Sequence, residues 1–324
     1  MENIRPLNDS YLCPIYFQRF DTMKFLIAAP QYSPQSGGIM VLHDLCESLN
    51  KIGHTAAIVL FHNGNAVEQN FEFVISNNPS HHKPSVDFYK FSTEYNHEIS
   101  DFLLNGIVIY PDLILGNPLN AKRTIRYILN TTNKKFENDY VLSFSKIFYD
   151  SPNFILYKVF ENPYIHDAGA RPWEARTLNA TYIGKGSTFG PCETIKNSIL
   201  IERDWPKSKE QLGILLRQVK FFYTWDNVSA TNYDAVLSGC VPVLLSNYSI
   251  DKQKIDTMEP GKFPQIDLEN RDLNGDINID INHLSETLST MKREIKYLST
   301  SWNERVVEFA LHCEQYFLIT QRIF

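Results

Sequence analysis

Apolar residues along this chain fall into two recurring patterns. One is a short run that is apolar throughout; the other is a longer stretch in which apolar positions return every three or four residues. Lys24 to Ala29, apolar from Phe25 onward and ended by Pro30, is of the first kind and predicts a buried strand. A turn rich in Ser, Pro and Gly leads to Ile39 to Asn50, where Leu42, Leu45, Cys46 and Leu49 fall at i, i+3, i+4 and i+7. That spacing makes one apolar helix face, and Gly53 supplies a C-terminal stop. Thr55 to Phe61 predicts a second strand, so the opening reads as a βαβ unit with parallel strands and a right-handed crossover.

Residues 62 to 100 are polar, carry His81, His82 and Pro84, and predict loops with a short strand or two. Gly106 to Ile109 predicts a buried strand, Tyr110 to Pro118 a loop, and Ala121 to Asn130 a helix with Ile125 and Leu129 inward. The first domain is expected to end near Asp139 to Ser145. The segment Asp150 to Pro163, with two prolines, is the expected connection. A second α/β series follows, with strands at Thr181 to Ile183 and Ser198 to Glu202. Next comes a helix from Ser208 to Lys220, with a Ser208/Gln211 capping box and an apolar face of Leu212, Leu215, Leu216 and Val219. Phe221 to Thr224 is a strand, Ala230 to Ser238 a helix closed by Gly239, and Val241 to Leu245 a strand. Asp267 to Asn282 reads as a polar hairpin or loop, because Gly275 is out of place for a calcium loop. Helices from His283 to Leu298 and from Asn303 to Phe317 close the series.

Length changes the picture by favouring two domains, since 324 residues exceeds the roughly 250 to 300 at which one core stops growing. A content of 43% hydrophobic and 21% charged residues is that of a folded globular chain. The formal charge of -6 supplies no field for a phosphate polymer and argues against nucleic acid as the main partner. Five cysteines, never spaced C-x-x-C, indicate neither a disulfide framework nor a zinc knuckle and fit a reducing cytosol. Met1 to Phe20 lacks the apolar core of a signal peptide, and no stretch is long and apolar enough for a membrane span. A cytoplasmic protein without a transmembrane segment is the expectation.

In parallel α/β sheets ligands collect beyond the carboxyl ends of strands, where helix N-termini offer free N–H groups and a positive dipole end. Two such places stand out. Gly37 and Gly38 follow the first strand and allow close backbone approach, without the G-x-G-x-x-G of a dinucleotide site. A double glycine is also an ordinary turn. The second place runs from Phe221 through Trp225, Asp226, Asn227, Ser229, Ala230 and Thr231 to Asp234. There the hydroxyls and N–H groups at the helix start suit a diphosphate without any metal, and two carboxylates suit sugar or ribose hydroxyls in one cleft. The competing reading is that Asp226 caps the helix and Asp234 is solvated.

The run Asp226 to Asp234 resembles the E-x7-E donor element of GT-B glycosyltransferases, with Asp for each Glu, followed by the small-residue stretch Ser238-Gly239-Cys240-Val241-Pro242-Val243. The resemblance implies an α/β fold of two Rossmann-like domains, each with a parallel sheet, facing across a cleft. Residues 1–148 would form the acceptor side and 149–302 the donor side, with the helix at 303–324 crossing back onto the first. It implies that Asp226 contacts the donor sugar and Asp234 the nucleotide ribose. It extends to Tyr182-Ile183-Gly184-Lys185-Gly186-Ser187 and Arg203-Asp204-Trp205-Pro206, where Gly184 lies in a strand-end loop and Lys185 and Arg203 would neutralise a diphosphate.

Tyr110-Pro111-Asp112 and Gly116-Asn117-Pro118-Leu119 resemble a cleft-facing loop of bacterial and viral surface-glycan transferases, which makes Asp112 and Asn117 acceptor-side candidates beside the plain reading as a turn. The implied activity is transfer of a sugar from a nucleoside-diphosphate sugar to a hydroxyl acceptor in glycan or polysaccharide synthesis. Retention of configuration and no metal or other cofactor go with it, and Asp226, Asp112 and Lys185 are the catalytic candidates. A nucleotide-sugar 2-epimerase and a non-catalytic nucleotide-sugar or glycan-binding relative are the alternatives. His43, His54, His166 and Cys240 read as structural residues.

Overall fold

A computed structural model describes residues 22–34, 36–62, 72–74, 96–130, 132, 134–136, 139–146, 148–188, 191–202, 204–226, 229–245, 265–266 and 281–323. The polar segments 63–71, 75–95 and 267–280, with His81, His82, Pro84 and Gly275, lie outside them. The chain is α/β and builds two largely parallel sheets.

The first sheet has the order β3-β2-β1-β4-β5-β6-β7. Its strands are β1 (Lys24–Ala29), β2 (Thr55–His62), β3 (Glu72–Val74), β4 (Ile107–Pro111), β5 (Thr124–Ile128), β6 (Tyr140–Ser143) and β7 (Phe154–Ile155). Every described pairing is parallel except that of edge strand β3 with β2. α1 (Gly37–Lys51) and α2 (Asn96–Asn105) cover it. Gly53 ends α1 at φ +95°, a conformation that a side chain resists. Phe25, Ile27, Leu42, Leu45, Leu49 and Ile109 share one core, and each such side chain stabilises the fold by about 1.5 to 3 kcal/mol.

The second sheet has the order β12-β11-β10-β8-β9 and is parallel throughout. Its strands are β8 (Leu178–Tyr182), β9 (Ser198–Ile201), β10 (Val219–Thr224), β11 (Val241–Leu245) and β12 (Gln265–Ile266). Two short helices accompany it, α3 (Lys209–Leu216) and α4 (Ala230–Leu237). α5 (Ile281–Thr300) and α6 (Trp302–Ile323) follow. Met291 and Ile295 of α5 join a core that also holds Ile128, Val141 and Tyr157 from the first half and Tyr233, Val236 and Leu244 from the second. Trp302, Val306, Phe309 and Cys313 of α6 pack into the core of the first sheet.

Three expectations are corrected. Thr124–Ile128 is strand β5, where the pattern predicted a helix over 121–130. The Ile125/Leu129 spacing and the intervening Arg126 imitate a helix with a polar side. In fact Arg126 is fully buried and held by Asp139 at 3.0 Å, by the carbonyls of Ile114 and Gly116, and between the rings of Tyr110 and Phe136. The helix predicted over 208–220 stops at Leu216, because Val219 opens β10 and buries its side chain in the sheet. The first sheet also continues past residue 148, where the sequence pattern ends the first domain. Asn153 turns the chain back, its side chain accepting the Val141 N–H at 2.7 Å, and β7 then pairs with β6.

Candidate functional site

Each sheet has one place where the chain departs in opposite directions from a central strand. In the first, β1 is flanked by β2 on one side and β4 on the other; in the second, β8 is flanked by β9 and β10. Loops leaving the carboxyl ends of such neighbours diverge to opposite faces and leave a crevice. The two stretches singled out from sequence lie at these two points. Gly37 and Gly38 follow β1 and Asp112 follows β4; Gly184 to Gly186 follow β8 and Trp225 and Asp226 follow β10.

At the second crevice the backbone turns are locked together. Gly184–Thr188 makes a single 3-10 turn, and the Lys185 N–H donates to Asp226 Oδ2 at 2.9 Å. Gly184 has φ +50°, and a Cβ on it would lie 2.5 Å from Asp226 Oδ2; one on Gly186 would lie 2.5 Å from Trp225 Cβ and 2.7 Å from the Trp225 carbonyl oxygen. Both positions therefore require glycine, because the turn lies flat on Trp225 and Asp226. Asp226 is itself fixed from behind. Its N–H donates to Thr224 Oγ1 at 3.2 Å and its carbonyl accepts from Thr224 Oγ1 at 3.1 Å and from Asn232 Nδ2 at 2.9 Å. The result is a buried carboxylate aimed into the turn that carries the exposed Lys185.

α4 begins beside this turn. Ser229 caps it, its Oγ accepting the Thr231 N–H at 3.2 Å and its carbonyl the Asn232 N–H at 3.1 Å. A hydroxyl that accepts can still donate, so Ser229 retains a proton for an anion at the helix start. Ala230 is exposed and Thr231 half-buried at that end.

Asp234 lies one turn further into α4, buried, with its carboxylate ion-paired to Lys209 Nζ at the first position of α3. Burial raises its pKa above the usual carboxylate value, and Lys209 opposes that rise. Asp226 and Asp234 therefore do not share one partner or face one point. The first holds the turn after β8 and the second pairs with α3, and both lie at the same edge of the second sheet.

The first crevice is built differently. Asp112 Oδ1 accepts the Leu129 N–H at 3.0 Å, tying the end of β4 to the end of β5, and burial raises its pKa. Asn117 is committed to its own loop. Oδ1 accepts from Tyr110 Oη at 3.0 Å and from the Ala121 N–H at 2.9 Å, and Nδ2 donates to the Ala121 carbonyl at 2.7 Å. Asn117 thus braces its loop. Among the described residues, no atom stands within 4 Å of a Cβ built on Gly37, and one built on Gly38 meets Leu129 at 3.7 Å. His43 is buried, with Nε2 2.9 Å from the Pro30 carbonyl oxygen and its ring edge-on to Tyr32, which anchors the loop after β1.

Trp225 stands beneath the glycine turn. Only 3% exposed, it turns inward and donates its indole N–H to the Glu193 carbonyl at 2.9 Å, so it supports the glycine turn instead of offering a ring to a ligand. Arg203 and Asn227 lie outside the described residues. His166 has no close role among these contacts, and the neighbouring Asp167 pairs with Lys292 at 2.5 Å. Cys240 is fully buried with its thiol on the Leu216 carbonyl, and burial pushes its pKa up to about 12. The residue that sequence reasoning missed is Lys209. Its signal was its place directly after the cap Ser208, whose Oγ accepts the Gln211 N–H at 3.2 Å, on a helix that starts at the same sheet edge.

Among the described residues no three His, Cys, Asp or Glu side chains come together as a metal-binding group, and no helix is long and apolar enough to cross a membrane. No family model and no curated protein sequence matches this chain. Solved structures that it resembles are glycosyltransferases. A glycosyltransferase from Rickettsia africae ESF-5 is 10% identical at a TM-score of 0.42, over 94% of this chain and 99% of that one. The spinosyn forosaminyltransferase SpnP is 11% identical at 0.45, over 90% and 100%. The glycosyltransferase SnogD from Streptomyces nogalater is 13% identical at 0.41, over 90% and 100%.

Proposed function

We propose that this chain is a glycosyltransferase that binds a nucleoside-diphosphate sugar at the crevice between β8 and β10 and passes its sugar to a hydroxyl acceptor held at the crevice between β1 and β4. The observation that carries the reading is the glycine turn Gly184–Thr188, pinned to Asp226 beside the capped start of α4 at a strand-order switch point. A leaving nucleoside diphosphate gains negative charge as the bond to the anomeric carbon breaks. Lys185, the Ser229 hydroxyl and the N-terminus of α4 would meet that charge from groups already fixed in place, the kind of stabilisation that supplies the largest share of many rate enhancements. Asp234, on α4, would accept a ribose hydroxyl, and Asp226 would orient the donor sugar. On the acceptor side Asp112 is the candidate base, since burial moves its pKa toward the range in which a carboxylate takes a proton. Retention of configuration, independence of metal, a cytoplasmic setting and a role in glycan synthesis belong to the same reading.

The test is a screen of UDP, GDP, dTDP, CMP and ADP sugars, read by thermal shift and by release of free nucleotide with and without EDTA. Lys185→Ala and Asp234→Asn are run beside the wild type. The expected result is stabilisation by one nucleotide class, nucleotide release that survives EDTA and needs an acceptor, and release slowed about a hundredfold in Lys185→Ala. NMR of the product reads its anomeric configuration. Donor consumption without an acceptor would instead mark a 2-epimerase, and stabilisation without turnover a binding protein. No response from well-folded protein would end the nucleotide-sugar reading altogether.

A further inference from the structure

A cavity lies at the opposite end of the second sheet from the glycine turn, at the foot of β8. It measures about 390 Å³ and is walled by the loop from Gly169 to Thr177, Leu178, and the end of α3 with Ile214, Arg217 and Gln218. That volume is within the roughly 300 to 1,000 Å³ of small-molecule sites. Three arginines, Arg171, Arg176 and Arg217, line it, and no carboxylate does.

Arg176 is the fixed member, only 5% exposed. Its Nε donates to the Arg171 carbonyl at 3.0 Å, and Nη1 donates to the carbonyls of Val219 at 3.0 Å and Ser238 at 3.1 Å. These bonds orient the guanidinium without neutralising it. Gly239, at φ +84°, leaves room for Nη2, which a Cβ there would meet at 2.5 Å. Arg217 donates to the Tyr164 carbonyl at 3.1 Å, and Arg171 is exposed at the rim. No carboxylate lines the cavity beside them. The nearby Asp167, whose pKa Arg176 helps to lower, is already engaged by Lys292.

Three guanidinium groups around one cavity that no carboxylate lines, one of them buried and pre-oriented, are a receptor for a compact anion, because the guanidinium fork matches phosphate oxygens two at a time. Ala170, Ala175, Leu178 and Ile214 supply apolar wall beyond the charged end. We propose that this cavity is a second ligand site, separate from the β8/β10 crevice, that takes a phosphomonoester of a small organic molecule. The phosphate would sit on the arginines and the organic part against the apolar wall.

Calorimetric titration of the full chain with inorganic phosphate and with glycerol 3-phosphate tests this. Both should bind saturably, the ester several-fold tighter, and the double variant Arg171→Glu, Arg217→Gln should weaken both by roughly tenfold or more. Those two side chains lie at the rim, so circular dichroism and Tm should stay as in the wild type. Absence of saturable binding, equal affinity for phosphate and ester, or undiminished binding by the arginine double variant would each overturn the proposal, whatever the outcome of the nucleotide-sugar screen.

Discussion

The crevices at β1/β4 and β8/β10 obey the same strand-order rule, yet one is open and the other tight. After β8, two glycines are required by contact, since a side chain on Gly184 or Gly186 would strike Asp226 or Trp225. After β1, two glycines stand with room to spare, Gly37 touching nothing and Gly38 grazing Leu129. In the first crevice Asn117 closes its own loop on Ala121, and Asp112 only ties the end of β4 to the end of the neighbouring strand β5. In the second, Asp226 joins β10 to the turn after β8 and Asp234 joins α4 to α3. A preformed edge suits a ligand whose charge must be met without rearrangement, and a roomy edge suits one of variable shape.

The sharpest way to break this contrast is Gly186→Ala. The added methyl meets a Cβ and a backbone carbonyl, neither of which can swing aside, so the turn must lift off Trp225. Urea unfolding should show a loss of about 3 kcal/mol, the upper end for overpacking. A loss under about 0.5 kcal/mol would mean that the turn is not locked and that the two crevices are alike.

The same contrast explains what was legible in the sequence. Strand runs such as Val241–Leu245, and Lys24–Ala29 from Phe25 onward, declare themselves because their residues are apolar and buried on both faces. Both crevices were legible because they follow directly from where such strands end. β5 was not, since the polarity of Arg126 is cancelled by Asp139 and by two carbonyls of a loop before it, partners that no local pattern shows. The roles inside the crevices were legible only in part. Whether Trp225 points out or in, whether Gly37 or Gly186 is the crowded glycine, and that Lys209 answers Asp234 all depend on which chain segments meet, which residue type alone does not carry.

A second test bears on the brace between α3 and α4. In Lys209→Met the buried Asp234 loses the cation that opposes its raised pKa, so that pKa climbs further. A carboxyl raised in the folded state binds its proton more tightly there than in the unfolded chain. Its contribution is therefore fully present below the ordinary carboxylate value and is lost as pH rises through the folded one. The variant should match the wild type near about pH 4 and fall below it by about 1 to 2 kcal/mol near about pH 7, a modest figure because Lys209 is 47% exposed and screened by solvent. Urea unfolding at both pH values reads it. A deficit independent of pH would assign Lys209 to packing and remove the ion pair as the feature that holds the tight edge together.

The smallest stability effect should come from Gly37→Ala, and it separates structure from function at the open edge. Gly37 is the first residue of α1 and a Cβ there touches nothing, so alanine should be neutral or stabilising by about 0.5 kcal/mol through helix propensity alone. The fold then gives no reason for glycine at this position. If an acceptor lies against that backbone, the same silent methyl should raise its KM while leaving donor-dependent thermal stabilisation as it was, because the donor edge is on the other sheet. If KM does not move, the open edge is only a turn into a helix, and the acceptor has to be sought elsewhere along the cleft.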